Sequence, residues 1–272
     1  MLLQRTLTAL LLAPLVILII LLSSTVVFAA IAALVFLAAL WEWTQLSGLK
    51  NSSWRIVWLI VAALVFALLW WAHATALTPL LLAVGVAWWL LACLWLRHFV
   101  FGAAATRENL SLKLLAGVFV IFPAWVAMVT IHGHEPHGPW WTLLALVIVW
   151  AADIGAYFSG RTFGKRKLAP QISPGKTWAG AYGAIVAGVL VTMIGGWLLD
   201  VRGIRLLALA LLAVITVGAS IIGDLIESLM KRHAKVKDSG TMIPGHGGLL
   251  DRMDSVFAAL PVFVAGLLLL GL

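Results

Sequence analysis

Charge is scarce in this chain: Asp, Glu, Lys and Arg make up 10% of its 272 residues, against 64% hydrophobic side chains. A water-soluble domain must clothe its surface in polar groups, so this composition excludes one and indicates a polytopic membrane protein. Cysteine is nearly missing as well. The single Cys93 excludes an intrachain disulfide and a thiolate metal cluster, and it leaves the redox compartment unread. No segments alternate polar and apolar residues as barrel strands do, which leaves helices as the only way across a bilayer. Internal repeats, low-complexity tracts and a soluble domain are also absent. The fold class is therefore all-α, in one integral-membrane unit. No small-residue cleavage site follows the apolar stretch after Arg5, so the first segment is expected to stay as an anchor.

What the chain has in quantity is long apolar runs. Nine are long enough to cross a hydrocarbon core of about 30 Å as helices: residues 7–22, 24–46, 54–71, 77–96, 110–131, 140–160, 178–199, 204–230 and 255–270. Only Ser23, Ser24 and Thr25 separate the first two, which could also form one long bent helix. Of the 18 lysines and arginines, only Arg202 and Arg205 fall on one side of the resulting topology; the others share the opposite side. By the positive-inside rule the N-terminus and the charged loops are cytoplasmic and the C-terminus is outside. The net charge of +8 then sits at an anionic leaflet, which suits an acidic lipid or a nucleotide; nucleic acid is not an expected partner.

Ionisable side chains concentrate in residues 228–254 and just before them. Asp224, Glu227, Ser228 and Lys231 fall on one helical face at the end of the eighth span. Such a group is either a helix-end salt bridge or a site, because a carboxylate inside a bilayer costs about 2–3 kcal/mol and needs a partner or a task. Lys237, Asp238 and Gly240 follow, then Gly245, His246, Gly247 and Gly248, then Asp251, Arg252 and Asp254 entering the ninth span. Glycines let backbone amides approach an anion, and Lys231, Arg232, Lys237 and Arg252 supply the countercharge that phosphates need. Asp251 and Asp254 stand side by side at a helix start. Such a pair either complements the helix dipole or holds Mg²⁺ together with phosphate oxygens.

A second polar cluster comprises Asp153 and Tyr157 at the end of the sixth span, then Ser173, Lys176 and Thr177. Gln171 stands where a Walker A loop needs its first glycine, and no strand is expected before Lys176, so a P-loop is excluded. The turn still offers a helix N-terminus to an anion. Asp153 taken alone reads as structural. On the other side of the membrane His132, His134, Glu135 and His137 have metal-binding side chains, but their short spacing points to adventitious affinity. Glu42, between Trp41 and Trp43, reads as part of an interfacial anchor.

The run from Ser228 through Lys231-Arg232, Lys237-Asp238, Gly240, Ile243-Pro244, His246-Gly247-Gly248 and Asp251-Arg252 to Asp254 resembles the signature of the phosphatidate cytidylyltransferase family, the CDP-diacylglycerol synthases. The similarity extends to Asp153–Tyr157 and to residues 173–178; it covers about the last 120 residues, and the first half matches mainly in hydropathy. The chain departs from the family at Ala179, where a polar or acidic side chain is common. The resemblance implies transfer of the cytidylyl group of CTP to phosphatidic acid, with Mg²⁺ and a second, monovalent cation such as K⁺. It implies a homodimer in a bacterial-type cytoplasmic (inner) membrane, with the site facing the cytoplasm. Carried over by position, Asp224, Asp251 and Asp254 would be metal ligands and, with Lys237 and Asp238, the catalytic set. Ser173, Lys176, Thr177, Lys231, Arg232, His246, Gly247, Gly248 and Arg252 would bind substrate phosphates, with Asp153, Glu227 and Ser228 as additions. Residues 1–131 would form a lipid and dimer scaffold and 140–272 the catalytic part. A membrane kinase using CTP is the nearest rival, and a transporter is disfavoured because the charges gather at one membrane face rather than at its midplane.

Overall fold

The computed structural model describes residues 2–73, 75–243 and 247–272, with side chains from Leu11 onward. Among the described residues it holds nine helices: α1 (Leu2–Leu22), α2 (Thr25–Ser47), α3 (Ser52–Ala72), α4 (Leu77–Arg97), α5 (Arg107–His132), α6 (Gly138–Phe163), α7 (Trp178–Leu198), α8 (Ile204–His233) and α9 (Leu250–Leu270). Eight of them are long and apolar enough to cross a membrane, and the described part of α1 adds a shorter apolar stretch, 11–22. This is an all-α, multi-pass architecture. The first two spans are separate helices, because Ser24 is extended (ψ 154°) and its Oγ accepts from Val27 N–H in the first turn of α2.

Local chemistry sets the ends. Gly48 takes the left-handed conformation (φ 98°) that closes α2. Asn51 caps α3 by accepting from Ser53 and Trp54 N–H, and Thr106 caps α5 through Asn109 N–H. Pro139 stands in the first turn of α6, where a missing N–H costs nothing. At about 1.5 Å per residue the 30 residues of α8 reach about 45 Å, well beyond a hydrocarbon core of about 30 Å. It can therefore cross with turns to spare, and Lys231, Arg232 and His233 in its last turn complement the helix dipole.

The bundle is centred on α9, which touches α2, α4, α5, α6 and α8. Phe257 and Phe263 of α9, Phe36 and Trp43 of α2 and Leu229 of α8 are among its fully buried side chains. Outward-facing positions carry Leu64, Leu68, Leu190, Ile194 and Leu211, as a lipid-bathed surface requires. The tightest pairing is α6 on α7, where glycines let the backbones approach: a Cβ on Gly155 would lie 2.5 Å from the Gly183 carbonyl oxygen, and one on Gly180 3.0 Å from that of Ala156. On the far side His132 is a packing residue. It meets Ile20 O at 2.9 Å and Thr25 Oγ1 at 3.2 Å and stacks on Phe28, so His132 joins the end of α5 to α1 and α2.

One expectation is overturned. Residues 167–177 form an antiparallel hairpin of β1 (Lys167–Ala169) and β2 (Ser173–Thr177), so a strand does precede Lys176 and Thr177. Among the described residues it pairs only with its neighbour, Lys167 opposite Thr177 and Ala169 opposite Ser173, unlike the parallel sheet of a P-loop fold. Thr177 ends the strand as the cap of α7, its Oγ1 accepting from Gly180 N–H at 3.1 Å.

Candidate active site

A cavity of about 410 Å³ opens between α6, the end of β2, the start of α7 and α8. The hairpin carries Lys176 across to α8, where it forms an ion pair with Asp224. Asp153 of α6 lines the same cavity with Tyr157, Arg161, Thr177, Ser220 and Ser255. Asp153 and Asp224 repel one another, and Lys176 and Arg252 offset that repulsion. Ser228, one turn along α8, lies 3.3 Å from Asp224 Oδ1 and donates to it.

Next to this cavity the ends of α8 and α9 form a more buried knot. Lys231 reaches both Glu227 Oε2, at 2.5 Å, and Asp251 Oδ1, at 2.7 Å. Asp251 Oδ2 accepts from Ser239 N–H (2.9 Å), Ser239 Oγ (2.9 Å) and Gly248 N–H (2.8 Å), so this one carboxylate ties the loop between α8 and α9 to the first turn of α9. Asp254, one turn on, accepts from Ser255 N–H at 2.7 Å and is repelled by Asp224. The two helices can meet so closely because Gly223 has no side chain to strike the Asp254 backbone carbonyl.

The surrounding residues divide by role. Arg232 donates from Nε to Ile172 O at 3.2 Å and so joins α8 to the turn of the hairpin. Lys237 and Asp238 are exposed on the loop, Arg252 is exposed on α9, and Ser173 is half-buried in β2. Gly247 is left-handed (φ 85°), and its carbonyl accepts from Ile243 N–H at 3.0 Å. Gly248 is buried, and its N–H, expected to face a phosphate, points to Asp251. His246, together with Pro244 and Gly245, lies outside the described residues.

Thus Lys176, Asp224 and Asp153 come together around the cavity, with Ser228 bonded to Asp224 behind it, and Glu227, Lys231 and Asp251 come together beside it. Among the described residues no three carboxylate, histidine or cysteine side chains converge on one point as a ready metal cage, so Asp224, Asp251 and Asp254 do not form a closed triad. Carboxylates nonetheless crowd here: of the ten acidic residues only Glu108, Glu135 and Asp200 lie elsewhere. Among the described residues, Glu227 Oε1 is buried with no hydrogen-bond partner. An excess of hard, mutually repelling oxygens is what a divalent cation neutralises.

Sequence reading missed Glu42 and Ser239. Glu42 is 1% exposed, so it anchors nothing at an interface. Its Oε2 accepts from Leu250 N–H at 2.8 Å and lies 3.0 Å from Ser239 Oγ. One signal was available: Glu42 is the only acidic residue among the first 100.

Comparison with known proteins extends the resemblance over the whole chain. A profile of the cytidylyltransferase family matches residues 3–270. The chain is 39% identical over 265 residues to the phosphatidate cytidylyltransferase of Pseudomonas aeruginosa, covering 97% of this chain and 96% of that one. It is 38% identical to the enzyme of the same name from Haemophilus influenzae, with 97% of each covered, and 36% identical to that of Brucella suis, with 85% and 81% covered. The likeness is therefore not confined to the last 120 residues, as the motifs alone suggested.

Proposed function

The chain belongs to the cytidylyltransferase family, and from this premise we propose that it transfers the cytidylyl group of CTP to phosphatidate, giving CDP-diacylglycerol and pyrophosphate. It is a nucleotidyltransferase with a membrane lipid as acceptor. The observation that carries this reading is the gathering of Lys176, Lys231 and the carboxylates Asp224, Glu227, Asp251 and Asp254 at one end of an otherwise apolar bundle. There a lipid phosphate held by the bilayer and a nucleotide dissolved in water can meet.

In the reaction a phosphatidate phosphate oxygen attacks the α-phosphorus of CTP. The new P–O bond forms as the bond to the bridging oxygen of the β-phosphate breaks, and that oxygen leaves with pyrophosphate. A phosphate monoester is already largely dianionic near neutral pH, so the nucleophile needs no dedicated base. The barrier lies in bringing two polyanions together and aligning them. Lys176, on a strand end that can present it to the cavity, is placed to take a substrate phosphate in exchange for Asp224. Lys231 stays between Glu227 and Asp251 and keeps the ends of α8 and α9 in register. Asp224 and Asp254 would hold Mg²⁺, with Glu227 nearby, and the ion would neutralise phosphate charge; a monovalent cation such as K⁺ would share the same acid-rich region. The charged ends, including Lys237 and Arg252, face the cytoplasm in this reading, in a bacterial cytoplasmic membrane. The positive-inside asymmetry of the loops supports that orientation.

Purified protein in detergent, given phosphatidate and CTP labelled at the α-phosphorus, is expected to yield labelled lipid and unlabelled pyrophosphate. Label retained in water-soluble CDP would instead indicate transfer of the γ-phosphoryl group.

A further inference from the structure

Nothing in the reaction as described uses Glu42, yet this α2 carboxylate is buried at the root of the loop that carries the site. The first turn of α9 lacks a cap of its own, since Leu249 precedes it and offers no side-chain acceptor. Glu42 Oε2 fills that role from another helix by accepting from Leu250 N–H at 2.8 Å. The same oxygen lies 3.0 Å from Ser239 Oγ, whose single proton is shared between Glu42 and Asp251. Oε1 has no partner among the described residues and is packed against Gly240, where a Cβ would collide with the carboxylate; a Cβ on Gly248 would collide with it too. Those two glycines, which the sequence offers to a phosphate, give their space to Glu42.

The post that holds this carboxylate is itself braced. Trp43 donates from Nε1 to Lys113 O of α5 at 2.8 Å over the bare backbone of Gly117. Arg55 of α3 lies over the Trp41 ring, 3.6 Å from its centroid, and donates to Trp41 O at 2.7 Å and Thr44 Oγ1 at 3.1 Å. With its neighbours fixed on both sides, Glu42 has one direction in which to point.

We propose that Glu42 is a positioning residue for cytidylyl transfer: from α2 it caps α9 and holds Ser239, and so sets Asp251 and Asp254 against the end of α8. This rests on the reading of the site given above. The geometry makes the first half of the chain part of the reaction centre.

The test compares wild type with Glu42→Ala, Glu42→Gln, Ser239→Ala and the Glu42→Ala/Ser239→Ala double variant, reading kcat and KM for CTP and phosphatidate in detergent. Hydrogen exchange at the amides of Ser239, Gly248 and Leu250 is measured alongside. Glu42→Ala is expected to lower kcat by about 10–100-fold, the usual effect of losing a supporting residue behind a site, with a smaller change in either KM and faster exchange at those amides. Glu42→Gln, which keeps an acceptor oxygen, should recover most of the rate. The double variant should be within about threefold of Glu42→Ala, because residues acting through one another do not add. A kcat within threefold of wild type in Glu42→Ala, or single effects that multiply in the double variant, would overturn the proposal. If Glu42→Ala does not fold, Ser239→Ala decides it: loop amides as protected as in wild type, with kcat within threefold of wild type, would overturn it. Wild type making no CDP-diacylglycerol would refute the proposed function instead, and the exchange data would still report whether Glu42 holds the loop.

Discussion

Lys231 and Lys176 each pair with carboxylates, but their surroundings give them different weight. Asp251 is only 8% exposed and meets four donors through its two oxygens, counting Ser239 twice. Asp251→Asn keeps the shape, removes the charge opposite Lys231 and turns an N–H₂ toward groups that themselves donate. Breaking a buried pair in this way costs about 3–5 kcal/mol. A clear fall in the thermal unfolding midpoint in detergent is therefore expected together with lost activity, and an unchanged midpoint with activity lost would make Asp251 a ligand rather than a tie. Lys176 and Asp224 are 25% and 30% exposed, so their pair contributes no more than about 1 kcal/mol. Lys176→Ala should leave the midpoint nearly unchanged and raise the KM for CTP or phosphatidate; unchanged kinetics would reduce Lys176 to a fastener of the hairpin. At this scale the sequence was informative where residue type and helical spacing sufficed, as for Asp224, Ser228 and Lys231. For Glu42 it offered only the rarity of acid in the first 100 residues, because nothing local to Trp41-Glu42-Trp43 tells which way the carboxylate points or what meets it some 200 residues later.

The helices were legible because each is a long apolar run bounded by polar residues, and α1 and α2 separate where Ser24 can cap the second. The β1–β2 hairpin was not. Its strands span three and five residues, too short for alternation to register, and Pro174 and Gly175 inside β2 read as a turn. Its position matters, since the strand ends at the α7 cap and aims Lys176 at α8. Thr177→Ala removes the bond to Gly180 N–H and should lower stability by about 1 kcal/mol, with Thr177→Ser restoring it; equal unfolding midpoints for all three proteins would show that the cap is dispensable. The α6–α7 contact is stricter. A leucine at Gly183 has no room beside Ser159 and the Gly155 backbone, so Gly183→Leu should part the helices and abolish turnover. Retained kcat in that variant would mean that the cavity does not depend on this pairing.

Across the whole molecule, the loop lysines and arginines predict which way the bundle sits. Met242 is 46% exposed on the loop between α8 and α9, and Cys93 is the only native thiol. A Met242→Cys protein carrying Cys93→Ala should react with a membrane-impermeant maleimide in inside-out vesicles and not in intact cells. Labelling of intact cells would place the site outside and remove the proposed reaction. The contact between Glu42 and α9 also has a bearing on biosynthesis. Glu42 precedes Leu250 by 208 residues, and at about 5–20 residues per second a ribosome needs about 10–40 s to make that stretch. For nearly all that time a carboxylate destined for the interior has neither of its hydrogen-bond donors, since Ser239 is made only 11 residues before Leu250. The nascent α2 must therefore leave its Glu42 end in water until the last helix is threaded in and draws it under cover.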